Sequence, residues 1–233
     1  MGLQRLDNTT LGDRASAALL EHIRSQDLKP GAALPSEAKL TELLGVSRPV
    51  VREALRNLRG LGVIEIRNGR GAIVGALNRA SLEVFFTHAL QTTRNSVIEL
   101  MELRRGLECE AAALAAERYG ADDAVAMEGL LAQMRAALGD AQRYAQLDAS
   151  LHVAISRASG NTLYEHMVQS IRTAMEDASL KGMQRRVNLE EIDAVQRMHE
   201  AIVAAILKRD ADAAFREMKQ HMVMATRALE RKP

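Results

Sequence analysis

The chain has 233 residues, 47% of them apolar, with aromatics at 3% and no Trp. That length suffices for one large domain or two modest ones, and the abundance of alanine and leucine favours closely packed helices. A net charge of +1 excludes a generally polybasic protein, and the single cysteine, Cys109, excludes an intrachain disulfide. No run of about 18 uncharged apolar residues offers a membrane span, and the N-terminus does not read as a signal peptide. A reduced, membrane-free, cytoplasmic protein is expected. Charge is nonetheless uneven. Residues 1–75 hold 11 Lys/Arg against 8 Asp/Glu (+3), and residues 76–233 hold 20 against 22 (−2).

After frayed residues to about Leu11, periodicity predicts a helix over 12–26 and then a Lys-Pro-Gly turn. Ser36 caps a short helix whose Leu40, Leu43 and Leu44 should face inward, and Gly45 ends it. Ser47 caps a second helix running to about Gly60, with Pro49 in its first turn, where a missing N–H costs nothing. In this helix Val51, Ala54, Leu55 and Leu58 share one side, and Arg48, Arg52, Arg56 and Arg59 form a stripe beside it. Val63, Ile64 and Ile66 then pair with Ile73 and Val74 as a ribbon around the two-residue turn Asn68-Gly69. Helix, turn, helix and ribbon describe a winged helix-turn-helix, whose second helix enters the major groove of duplex DNA.

The run PGAALPSE…LGVSRPVVREAL…LGVIE…NGRGAIV resembles the N-terminal domain of the GntR family of bacterial transcriptional regulators. The resemblance implies that Ser36, Lys39, Ser47, Arg48, Pro49, Val50 and Arg52, with Asn68, Gly69 and Arg70 at the wing tip, lie at the operator. Many members carry Arg directly after Pro-Ser-Glu; this chain has Ala38 and then Lys39. The DNA-binding domain is expected over 1–76 and a second domain over 77–233.

Beyond the ribbon the fold is expected to be all-α, an antiparallel bundle of about seven helices near 81–91, 96–119, 122–138, 140–158, 161–180, 189–208 and 210–230. Asp148 and His152 are four apart on one inward face. His199 lies on the stripe Ile192, Val195, Ile202, Ile206, and His221 on the stripe Met218, Met222, Ala225. Three imidazoles and a carboxylate suit a borderline divalent cation with open coordination positions: zinc first, with nickel, iron or manganese as alternatives. Periodicity leaves open whether the three helices bring them together. His22, His88 and His166 read as structural or surface residues, and Tyr144 and Tyr164 as packing residues.

Residues 96–230 resemble the FCD ligand-binding domain of the FadR subfamily within the GntR family. The matching pieces are Glu102–Glu108, Asp148-x-x-x-His152, Ser159-Gly160-Asn161, His199 before Ala201-Ile202, and His221. The resemblance implies that Asp148, His152, His199 and His221 ligate a metal in an effector sensor.

Arg104 sits on the apolar stripe Val97, Leu100, Leu107, Ala111. It reads either as half of an internal salt bridge, to Asp148 or Glu108, or as an anchor for a ligand carboxylate. Asn161 and Arg172 are further candidates for lining the same pocket. The expected protein is a homodimeric regulator, a repressor reading an inverted repeat and answering to a small organic acid. The alternatives are a regulator sensing the metal alone and a metal-dependent hydrolase fused to a DNA module.

Overall fold

The computed structural model describes residues 10–67, 71–76, 79–92, 96–186 and 188–230. The chain divides into two compact units, Met1–Ser81 and Leu82–Pro233. In the first, α1 (Leu11–Ser25) starts at Thr10, whose side chain and that of Asp13 cap each other's backbone. Helix α2 (Glu37–Leu44) is capped by Ser36, which accepts from the Lys39 N–H at 3.3 Å, and is ended by Gly45 at φ +63°. That left-handed cap needs glycine, and it turns the chain sharply into α3 (Arg48–Gly60). Leu19, Leu40, Val51, Ala54, Leu55 and Leu58 are buried between these helices, with Ile64 and Val74 closing the core from the ribbon.

Three local expectations change. Leu43 is 60% exposed, because α2 has only two turns and meets the core through Leu40, with Leu44 half-buried beside it. Ser47 occupies the N-cap position of α3 without making a side-chain cap bond. The ribbon, β1 (Ile64–Arg67) against β2 (Gly71–Val74), pairs Arg67 with Gly71, so three residues connect the strands rather than two. Gly71 has φ +73°, as three-residue hairpins favour. Asn68, Gly69 and Arg70, expected at the wing tip, lie outside the described residues. An additional bridge, Ala33 to Ile73, attaches the segment before α2 to the far side of β2.

The second unit is a helical bundle: α4 (Ala80–Thr92), α5 (Ser96–Arg118), α6 (Ala121–Ala136), α7 (Ala141–Ala158), α8 (Thr162–Ser170), α9 (Arg172–Gln184), α10 (Leu189–Leu207) and α11 (Ala211–Glu230). The single helix expected over 161–180 is two helices, broken at Ile171 (φ −102°, ψ 7°) without Gly or Pro. Tertiary anchors account for the break. Ile171 is buried, the Ser170 hydroxyl donates to Met167 C=O at 2.7 Å, and the Arg172 guanidinium donates to Ser150 Oγ on α7 at 2.7 Å. Helix α5 buries Ala111, Ala112, Ala115 and Ala116 completely, and such small side chains allow α10 and α11 to approach it closely. The main core joins α5, α6, α7, α10 and α11, and the candidate site lies within it.

Candidate metal centre and DNA-reading surface

Four side chains converge inside the bundle. Helix α7 supplies Asp148 and His152 one turn apart, α10 supplies His199, and α11 supplies His221. One ligand atom from each lies within 4.8 Å of all the others, and all four residues are buried. Donors around one bound ion stand about 3–4 Å apart, given bonds near 2.1 Å, so a modest contraction would complete the shell. His199 Nε2 is 2.8 Å and His152 Nε2 3.8 Å from Asp148 Oδ1. Both of these nitrogens are buried without a hydrogen-bond partner among the described residues. Buried polar atoms are rarely left so, and orphaned imidazole nitrogens facing a carboxylate fit a cation between them.

The electrostatics point the same way. Burial holds His199 below the ordinary histidine value, although Asp148 opposes it, and burial holds His221 well below. Burial would raise the Asp148 carboxyl, but His199 and the other imidazoles outweigh it and leave it strongly lowered. The site therefore offers an ionised carboxylate at Asp148 and neutral imidazoles at His199 and His221, the states that bind metal.

Two groups of side chains hold the ligands from behind. On α5, Arg104 Nε donates to Glu108 Oε1 at 2.7 Å, both residues being buried. Glu108 Oε2 lies 2.5 Å from His152 Nδ1, though not aligned as a hydrogen bond. Burial pushes the Glu108 carboxyl up, and Arg104 with His152 brings it down to about 2. On the other flank the Tyr144 hydroxyl lies 3.2 Å from both Gln196 Oε1, to which it donates, and His199 Nδ1. Tyr144 is thus more than a packing residue. The sequence carried no sign of what its oxygen meets.

Arg104 has the salt bridge to Glu108, and its Nη2 remains buried and unpartnered among the described residues. Arg104, Asp148 and His221 line one cavity of about 30 Å³, together with Met101, Met183 and Arg186. Asn161 and Arg172 do not line it. Asn161 caps α8 by accepting from Leu163 N–H at 3.0 Å, and Arg172 pairs with Glu176 at 2.9 Å. Their polar groups are engaged in helix ends and helix packing.

In the other unit Arg48, Pro49, Arg52, Arg56 and Arg59 are exposed along α3, with Val50 half-buried. Arg52 Nε lies 2.8 Å from Glu37 Oε2 of α2, a contact sequence spacing did not reveal. Lys39 pairs with Glu42 at 3.0 Å on the exposed side of α2.

Residues 11–74 match the gntR family of bacterial regulatory proteins, and residues 99–224 match the FCD domain. The chain belongs to the GntR family. It is a DNA-binding transcriptional regulator rather than an enzyme. The Glc operon transcriptional activator of Escherichia coli is 34% identical over 203 residues, 84% of this chain and 79% of that protein. The galactonate operon transcriptional repressor of the same species is 27% identical over 229 residues, 94% of this chain and 96% of that protein. Among solved structures, Streptococcus agalactiae GntR aligns with a TM-score of 0.66 at 25% identity, covering 93% of this regulator and 99% of that chain. No described helix of the regulator is long and apolar enough to cross a membrane.

Proposed function

We propose that the regulator represses transcription as a homodimer on an inverted repeat, and that a small organic acid held at a divalent metal in the FCD domain controls it. The observation that carries this reading is the buried convergence of Asp148, His152, His199 and His221 beside an unpartnered Arg104 nitrogen. Those four residues would hold the ion, zinc before nickel, iron or manganese. The ion would supply electrophilic coordination positions for carboxylate or hydroxyl oxygens.

Charge supports the assignment. With neutral imidazoles, Arg104 (+1), Glu108 (−1) and Asp148 (−1) leave the buried cluster at −1. A divalent ion brings it to +1, and one carboxylate returns it to zero, so an anion follows the metal naturally. The unpartnered Arg104 nitrogen favours such an acid over a sensor of metal alone. A cavity of about 30 Å³ holds a water or two, so an acid must displace lining side chains, for which the flexible Met101 and Met183 are suited. That displacement gives the acid different free energies in two conformations, which control of DNA binding requires. The name of the galactonate operon relative is in keeping with a sugar-acid or hydroxy-acid effector.

On α3, Arg48, Pro49, Val50 and Arg52 would face the operator, with Ser36, Lys39 and Ser47 nearby and Asn68, Gly69 and Arg70 at the wing. The test is thermal unfolding of chelator-treated protein with zinc, then with zinc plus a panel of hydroxy acids, sugar acids and dicarboxylates. Zinc should raise Tm, and one acid class should raise it further only with zinc present. Equal zinc shifts in wild type and Asp148→Ala would overturn the metal reading. An acid-induced shift that survives chelation would detach the effector from the metal.

A further inference from the structure

His199 is held on its far side by a chain of hydrogen bonds that the metal reading does not use. Gln196, fully buried, donates through Nε2 to Leu131 C=O on α6 at 3.2 Å and to Glu200 Oε1 at 3.0 Å. Both partners are acceptors only, so the amide cannot be reversed, and its Oε1 must face Tyr144. Glu200 is itself fixed by Arg135, whose Nε and Nη2 each donate to it at 2.8 Å while Nη1 reaches Asp193 at 2.9 Å. An amide oxygen has no proton to give, so the Tyr144 hydroxyl spends its only proton on Gln196 at 3.2 Å. Its oxygen then has only lone pairs to offer His199 Nδ1, also at 3.2 Å.

We infer that Tyr144 and Gln196 are positioning residues that select the His199 tautomer with the proton on Nδ1, baring the Nε2 lone pair toward Asp148. That tautomer is the poorer one for the metal-free cluster. His199 Nε2 stands 2.8 Å from Asp148 Oδ1, so a proton on Nε2 would be drawn to the carboxylate even though the pair is not aligned as a hydrogen bond. Instead a bare nitrogen and a carboxylate oxygen stand 2.8 Å apart with no proton between them, an arrangement that a cation relieves. Arg135, Glu200 and Gln196 thus keep a ligand in its binding state from the outer face of α6 and α10, and partners of this kind typically change metal affinity 10- to 100-fold.

The inference rests on the metal reading, and its test separates the two. Metal-free protein with ¹⁵N-labelled histidine is examined at pH 8 by long-range ¹H–¹⁵N NMR, which distinguishes Nδ1–H from Nε2–H rings. Wild type should show His199 with Nδ1–H. Gln196→Met, nearly isosteric but without a comparable acceptor, frees the Tyr144 proton for Nδ1 and should invert the ring to Nε2–H. Tyr144→Phe, which deletes one oxygen, should do the same and covers the case in which Gln196→Met does not fold. His152, which faces Glu108 instead, should keep its wild-type state in both. Zinc binding, read by competition with a chromophoric chelator, should weaken about 10- to 100-fold in each variant. Nε2–H at His199 in wild type, or Nδ1–H retained in either variant, would overturn the inference. If wild type shows Nδ1–H and binds no zinc, the metal reading fails and the tautomer selection stands.

Discussion

Arg104 and Glu108 both stay ionised out of contact with water because their charged ends touch: burial opposes each, but Glu108 with Asp148 outweighs it for Arg104, and Arg104 with His152 outweighs it for Glu108. Glu108 also faces His152, so one carboxylate serves the cation of α5 and an imidazole of α7. Taking one partner from a buried ion pair leaves the other charge without compensation. Glu108→Gln should therefore cost about 3 kcal/mol of stability in denaturant unfolding of the chelator-treated protein. Glu108 was legible in the sequence as a candidate partner of Arg104, because four residues separate them on one helix. Its contact with His152 was not, since nothing in a helical period states which neighbouring helix a carboxylate will reach.

At the scale of elements, α3 has two opposed faces. Val51, Ala54, Leu55 and Leu58 fasten it to the core, and the arginines stand on the exposed side. They are not equivalent. Arg52 is held by Glu37, and Arg48 has no ion-pair partner among the described residues, so its guanidinium meets an incoming duplex without first breaking a contact. Arg48→Ala should weaken binding to duplexes selected by the wild-type protein at least 10-fold in gel-shift titration, leaving thermal unfolding unchanged. A loss uniform across sequences with a salt slope reduced by about one would mark a phosphate contact, and a loss confined to selected sites a base contact. Elsewhere the periodicity of 161–180 ran on without interruption, yet the chain bends at Ile171. The bend comes from anchoring on α7 rather than from any residue that breaks helices locally.

For the whole molecule, the buried histidines set how metal-free protein responds to acid. His199 and His221 have native values below the ordinary 6.5. As pH falls through 6.5 the unfolded chain takes up protons that the native cluster refuses, so stability present above that pH is lost below it. Glu108 and Asp148 are lowered instead, and what they contribute persists until far more acid conditions. Chelator-treated protein should thus lose Tm steadily from pH 7 to 5.5, while a flat Tm across that window would contradict the burial of neutral imidazoles.

Much of the architecture needed only the order of residues. Gly45 between two short apolar helices, a basic stripe beside a buried one, and a helical period with inward histidines are local patterns, and the forces that produce them act within a few turns. The same period told that Asp148, His152, His199 and His221 point inward, but not that three separate helices bring them within 4.8 Å. Nor did it tell that Tyr144 ends on Gln196 and His199, that Leu43 faces water, or that Asn161 and Arg172 do not line the cavity. Those outcomes depend on which helices abut and at what height along their axes. Close packing over the entire bundle decides that, and no stretch of sequence encodes it alone.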